Sequence, residues 1–387
     1  MVPSVLQAQA HIVEACTELQ ALVEAPLPYL MRVTSPRNNA LWIALHTIYR
    51  FNITTHLSLS EELSFSELAQ RCGMEESDLR RVIRTAISHH VFLEPRKGFV
   101  AHSATSRLIA ENELVQNWLG FVCEDHWPQA VKAAEAFEKW PGSQETDQVA
   151  FQLANAGGMD LWETLKTDEK RQQRFNRAMV LLQSHPAVSV EHLFTFLGWD
   201  SEHWPRTVVD IGGNQGKLSI DLLRRYPQIS CCVQDLPSVV DGAKIPEDLT
   251  GRLTFTAHDF FTEQPRKNAD VYYFRAVLHD WSNKYVVLIL KNLIPALKDG
   301  ARVIINEMCL PEPGVLHFHY DQLLRGYDLT MKTTQNGAER DATEWEKLFQ
   351  SADRRFKLLR VESSPDSMLS MIEFCWNAED NSTIVAE

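Results

Sequence analysis

Leu6, Ile12, Val13, Cys16, Leu19, Leu22 and Val23 recur at helical spacing, which predicts an amphipathic helix over the first 20 or so residues, in need of a partner surface. A second apolar stretch, Ala40-Leu-Trp-Ile-Ala-Leu-His-Thr-Ile-Tyr-Arg-Phe-Asn-Ile, predicts a buried helix after the Ser35-Pro-Arg-Asn-Asn loop, with Trp42 and Phe51 as core or pocket wall. Ser64-Phe-Ser-Glu67 has capping-box form and opens a helix through Cys72; Gly73 breaks it, and 76–90 forms another. Val91-Phe-Leu-Glu-Pro-Arg-Lys-Gly-Phe-Val-Ala then reads as two short strands around a Lys97-Gly98 turn. Helix, turn, helix and hairpin together spell a winged helix.

From about 105 to 200 the pattern is helical, interrupted by a Pro141-Gly-Ser-Gln-Glu loop, and forms a bridge rather than a third domain. After Trp204-Pro205 short β-branched runs alternate with amphipathic helices: Thr207-Val-Val-Asp-Ile, 218–225, Ser230-Cys-Cys-Val-Gln, Ala269-Asp-Val-Tyr-Tyr-Phe, 286–297 and Ala301-Arg-Val-Ile-Ile. This alternation predicts a parallel, doubly wound sheet with helices on both faces, a Rossmann-like α/β domain that binds ligands at the strands' carboxyl ends. The expected division is a helical domain over 1–110 and a larger catalytic domain over 111–387 that includes the bridge, with a frayed tail from Ala378.

Composition narrows the functions open to such a chain. Its 387 residues are 44% apolar and 23% charged, an ordinary globular balance with length for about two domains. No apolar run reaches the ~18 residues of a membrane span and the N-terminus lacks a signal-peptide core, so a cytosolic protein without a membrane partner is expected. A formal charge of −13 repels polyanions, which disfavours nucleic acid as a partner. Arg80, Arg81 and Arg84 would carry DNA binding by the winged helix; acidic residues lie among them, so a dimerisation module is the preferred reading. The seven cysteines show no CxxC spacing, which points to buried free thiols and no metal site.

Asp210-Ile-Gly-Gly-Asn-Gln-Gly216 sits between a predicted strand and helix, where glycines permit close approach to a ligand and the helix N-terminus offers N–H groups to a carboxylate. Asp235 ends the next strand 19 residues after Gly216, where its carboxylate can accept two ribose hydroxyls. Asp259, in His258-Asp-Phe-Phe261, follows a third strand and can face an adenine. The spacing fits both NAD and S-adenosylmethionine.

From Val208 to about Cys375 the chain resembles the plant and fungal class I O-methyltransferase family through eight motifs in order: DIGGNQG, QDLP, HDFF, FRAVLHDW, INEMCLPEPG, RGYDLTM, NGAERDATEW and SADRRF. The resemblance extends over almost the whole chain. It implies S-adenosylmethionine as cofactor, held by Gly212, Gly213, Gly216, Asp235, Asp259 and Phe260, with Arg275 beside it. It also implies a homodimer in which the winged-helix domain closes the partner's pocket on a small natural-product intermediate. Asn214 departs from a glycine common in the family, and Asn tolerates left-handed backbone.

Methyl transfer to a phenol of pKa about 10 calls for a base. His279 in Leu278-His-Asp-Trp281 matches the family's base, and Glu307 and Glu339 match the acids that orient it. Other residues point elsewhere. Ala276 replaces a Trp found in many fungal members, the NGKERT-like motif reads Asn336-Gly-Ala-Glu-Arg-Asp341, and His126 in Glu124-Asp-His-Trp-Pro128 matches a substrate-binding histidine of the leporin-type pericyclase branch, which also uses a cation at the Arg275 position. His126 and Arg275 would hydrogen-bond a conjugated carbonyl, while the sulfonium adds fixed positive charge without losing its methyl group. This combination favours a pericyclase or dehydratase acting on a polyketide or pyridone-like intermediate. The alternative is an O-methyltransferase acting on a phenol or enol, and the remote alternative is a winged-helix DNA-binding regulator.

Overall fold

The computed structural model describes residues 3–155, 157–199, 205–312, 314–316, 318–364 and 366–379. The start of the pattern change at Trp204 and the tail beyond Glu379 lie outside these residues, as does the Leu6 side chain. The chain divides into two compact units, one of Met1–Glu138 with Ala150–Ser184 and one of Lys139–Val149 with His185–Glu387.

The first unit is mostly helical. It opens with α1 (Pro3–Val23), α2 (Pro26–Val33) and α3 (Pro36–Arg50). Then come β1 (Leu63–Ser64), α4 (Phe65–Cys72), α5 (Glu76–Ile87), β2 (Phe92–Leu93) and β3 (Phe99–His102). Ser64 Oγ accepts from Glu67 N and Glu67 Oε2 accepts from Ser64 N at 2.9 Å, completing the capping box, and Gly73 ends α4 in the left-handed conformation. The three strands form a small antiparallel sheet in the order β1-β3-β2, packed with α3, α4 and α5 around buried Ile48, Leu68, Leu79, Ile83, Phe92 and Val100. β1 adds a strand that its two-residue length hides in the sequence.

The boundary expected at residue 110 falls differently in the structure. α6 (Ala104–Glu111), α7 (Glu113–Phe121) and α8 (Glu169–Gln183) belong with the first unit. Asp125, buried just past α7, accepts hydrogen bonds from Arg171 and Arg174 of α8, and such a charge stays buried only with its partners in place. Most of the helical bridge is thereby tied to the N-terminal unit, while residues 139–149 go with the second.

In the second unit, α9 (Val190–Leu197) precedes β4 (Thr207–Ile211), α10 (Lys217–Arg225), β5 (Ser230–Asp235), β6 (Leu253–Ala257) and β7 (Val271–Arg275). They are followed by α11 (Asn283–Leu293), β8 (Arg302–Glu307), β9 (Cys309–Leu310), α12 (Phe318–Gln335), β10 (Arg340–Asp341), α13 (Ala342–Ala352), β11 (Phe356–Glu362) and β12 (Ser370–Trp376). Seven strands form one sheet in the order β11-β12-β8-β7-β4-β5-β6. The sheet is mixed rather than wholly parallel: β12 runs antiparallel to both neighbours because it returns from β11 as a hairpin, without a crossover helix. Alternate residues bury on opposite faces. Val209, Ile211, Tyr272, Phe274, Val303 and Ile305 enter one core; Val208, Val271, Tyr273 and Ile304 enter the other. Both faces are therefore covered, as parallel strands require. β4 lies between β5 and β7, and that reversal of strand order opens a crevice at the strands' carboxyl ends. All seven cysteines are free, and no helix among the described residues is long and apolar enough to cross a membrane.

Candidate active site

The turn after β4 is pressed against the sheet. A Cβ on Gly213 would lie 2.7 Å from the Asp210 carboxyl and 2.8 Å from Val233; one on Gly216 would lie 2.9 Å from Phe255, and one on Gly212 2.7 Å from Val277. Gly212, Asn214 and Gly216 all have positive φ, which explains why asparagine suffices at 214. The loop feeds α10, whose N-terminus has no side-chain cap and so keeps N–H groups free for an anionic group. Below it, Asp210 accepts a hydrogen bond from Ser219 Oγ at 2.5 Å. Burial pushes Asp210 up to about 6, against that hydrogen bond and the Arg275 charge.

Asp235, at the end of β5, accepts from Asn214 N at 2.9 Å through Oδ2 and from Leu236 N at 2.8 Å through Oδ1, which fixes the carboxylate beside the glycine turn. Asp259 is exposed after β6 and accepts from Phe261 N at 2.9 Å. Phe260 packs edge-on against Phe261 and Trp281. A bare loop, an uncapped helix end and a fixed carboxylate match the amino-acid and ribose parts of S-adenosylmethionine.

Arg275, the last residue of β7, is already engaged. Its guanidinium donates to Asn306 Oδ1 and the Val188 carbonyl. Ala276, next along, is exposed and left-handed with φ +49°, a conformation that alanine disfavours. His126 belongs to the first unit, in the π-helical turn Val122–His126, with its ring 4.1 Å from that of Phe121. Burial pushes His126 down to about 4, so its imidazole is neutral at pH 7.

His279, Glu307 and Glu339 converge in the second unit. His279 Nδ1 is 2.7 Å from Glu339 Oε1 and 3.8 Å from Glu307 Oε2; its Nε2 is 3.7 Å from Asp280 Oδ1. Glu307, at the end of β8, accepts from Val277 N at 3.0 Å and Leu278 N at 2.8 Å, which fixes the turn carrying the histidine. Burial acts to depress the His279 pKa, but the charges of Glu339, Glu307 and Asp280 outweigh it and hold His279 well above the usual histidine range. The same burial raises Glu307 and Asp280. Three such groups within 4.8 Å also have metal-ligand composition, but the short Nδ1 to Glu339 contact commits that nitrogen to a carboxylate.

The Asn336-to-Arg340 segment clamps this turn through contacts that spacing alone does not reveal. A Cβ on Gly337 would fall 2.3 Å from the His279 carbonyl oxygen, and Ala338 N donates to the same oxygen at 2.9 Å. Arg340 is buried; it donates to the carbonyls of Leu278, Trp281 and Ala338 and to Asn283 Oδ1. Replacing Arg340 with leucine takes a charge-assisted donor from three carbonyls and from Asn283 Oδ1, so urea denaturation should show the second unit destabilised by about 3–5 kcal/mol. A loss below ~1 kcal/mol would mean that the clamp is dispensable.

A family model for the O-methyltransferase domain matches residues 142–355. O-methyltransferase kk1A of Curvularia clavata is 47% identical over 369 residues, covering 95% of this chain and 86% of that one. The grayanic acid biosynthesis cluster O-methyltransferase of Cladonia grayi is 37% identical over 382 residues, covering 97% and 79%. Among solved structures, LepI in complex with SAM superposes with a TM-score of 0.77 at 23% identity over 95% of this chain and 94% of that one. OxaC gives 0.79 at 21%, over 97% and 94%. The chain belongs to the O-methyltransferase family. It is an S-adenosylmethionine-binding enzyme of that fold, a fold that also serves pericyclic chemistry.

Proposed function

We propose that this enzyme methylates a phenolic or enolic oxygen of a fungal secondary metabolite. The observation that carries the reading is the His279–Glu339 pair: with Nδ1 held at 2.7 Å from a buried carboxylate, neutral His279 keeps its proton on Nδ1 and leaves Nε2 as the base. Gly212, Gly213, Gly216, Asp235, Asp259 and Phe260 would hold S-adenosylmethionine, which would supply an electrophilic methyl group. His279 Nε2 takes the hydroxyl proton, Glu339 stabilises the resulting imidazolium, and Glu307 holds the turn in place. The raised pKa of His279 narrows the gap to a phenol near 10, which makes the proton transfer less uphill. The fungal relatives named as O-methyltransferases support the substrate class.

Pericyclic chemistry is the second reading, favoured by the neutral His126 in its π-helical turn and by the likeness of the fold to that of a pericyclic reaction enzyme. The engagement of Arg275 with Asn306 and Val188 weighs against its serving as the substrate's cation. Turnover of His126→Ala and His279→Ala compared side by side separates the two: methyl transfer requires His279→Ala to lose about 10²–10⁴-fold and His126→Ala far less. The reverse order would favour pericyclic catalysis.

The small sheet with α4 and α5 supports a winged-helix reading of the first unit. Arg80 and Arg84 pair with Glu76 and Glu94 and lie over Phe65, which suits a scaffold better than a DNA-reading surface. The exposed Ile12, Leu19, Leu22 and Val23 of α1 support a homodimer.

A further inference from the structure

The loop containing Pro141-Gly-Ser-Gln-Glu has no part in the chemistry described so far. It lies within Lys139–Val149, a strap whose two ends run into the helical unit at Glu138 and Ala150 but which packs with the second unit. Its contacts there fall on both segments that build the His279–Glu339 pair.

On the histidine side, α11 begins three residues after Asp280, and its N-cap Ser282 makes no side-chain capping bond. Ser282 Oγ instead donates to the Gln144 carbonyl at 2.8 Å, and Gln144 Oε1 accepts from Lys284 N at 2.8 Å. The missing cap of the helix that follows the catalytic turn is thus supplied from 140 residues away. Glu145 adds bonds to Lys284 Nζ at 2.6 Å and Tyr285 OH at 2.8 Å.

On the glutamate side, Asn336 Nδ2 donates to the carbonyls of Glu145 at 2.6 Å and Gln148 at 3.2 Å, and Lys332 Nζ donates to the Ser143 carbonyl at 3.0 Å. Asn336 stands three residues before Glu339, with a left-handed backbone of φ +57°. One short segment therefore ties down both halves of the pair.

We propose that the strap over residues 143–148 is a positioning element for His279 and Glu339, with Gln144 and Asn336 as the side chains through which it acts. The proposal rests on the reading of His279 as the base only for its effect on turnover; its effect on the histidine itself stands apart from that reading. A strap acting only as a stabilising loop would leave the titration of His279 unchanged.

The test uses full-length protein with isotopically labelled histidine, the His279 resonance being assigned by its loss in His279→Asn. In Gln144→Ala, and in Asn336→Gly, which keeps the left-handed backbone, the His279 titration should move toward the ordinary histidine range as the Glu339 contact loosens. In the same variants kcat should fall about 10–100-fold with KM within about twofold. Gln144→Glu, which still offers an acceptor to Lys284 N, should restore both. An unchanged His279 titration in folded, cofactor-binding Gln144→Ala and Asn336→Gly overturns the proposal, whatever happens to kcat. Full turnover in His279→Ala would refute the base reading alone, because the titration still reports the positioning.

Discussion

Glu339→Gln is expected to lower kcat by about 10²–10⁴-fold and to move the rising limb of the kcat/KM profile to lower pH. Both effects come from the same geometry. Burial pulls the His279 pKa down, and the charges of Glu339, Glu307 and Asp280 push it up more strongly, so the folded enzyme carries a protonated His279 well above the ordinary histidine value. The base form then accumulates only as pH rises through that raised pKa, and activity climbs on the alkaline side. Removing the Glu339 charge leaves burial less opposed, so the limb shifts toward acid. The histidine that remains is a weaker base whose Nδ1 no longer meets a carboxylate, which lowers the plateau. An initial-rate profile across neutral and alkaline pH decides the matter; an unmoved limb would show that Glu339 does not control His279. The pair also contributes to stability with a definite sign. The raised pKa makes that contribution fully present below about pH 6.5 and lost as pH rises through the folded value.

Asp235→Ala should weaken cofactor binding by about two orders of magnitude, the equivalent of losing charge-assisted hydrogen bonds worth ~3 kcal/mol. Its carboxylate is held in place by the N–H groups of Asn214 and Leu236. The same N–H to Oδ2 bond braces the glycine turn, so the loss combines a missing acceptor with a loosened loop. Calorimetric titration with S-adenosylhomocysteine measures it directly. An unchanged Kd would remove Asp235 from the site.

The glycine turn was legible in the sequence because its residues answer local demands: positive φ at Gly212 and Gly216, no room for a Cβ at Gly213, and a strand-to-helix setting. Four of the five inner strands, β4, β5, β7 and β8, were legible as short, mostly apolar runs. β12 was not, since Glu373 interrupts its apolar pattern; that carboxylate is tolerated inside because Arg360 meets it at 2.6 Å, a partner thirteen residues away. Asp125 concealed the true division of the helical bridge in the same way, its arginines lying 46 and 49 residues downstream. Glu307 and Glu339 were found by resemblance to a family, because nothing local links positions 28 and 60 residues past the histidine. The roles of Arg340, Gln144 and Asn336 were not legible for a related reason. They act chiefly on backbone groups, and a carbonyl or N–H that needs a partner leaves no mark in the residue type.

Methyl transfer and pericyclic chemistry differ in whether the methyl group leaves the sulfur, so the most direct test follows that group. The enzyme is incubated with its phenolic or enolic intermediate and S-adenosylmethionine carrying a deuterated methyl, and products are read by mass spectrometry. Methyl transfer predicts a product heavier by the labelled methyl, with one S-adenosylhomocysteine formed per product. An isomeric or dehydrated product that needs the cofactor yet leaves it intact would contradict the account and place the chemistry at His126.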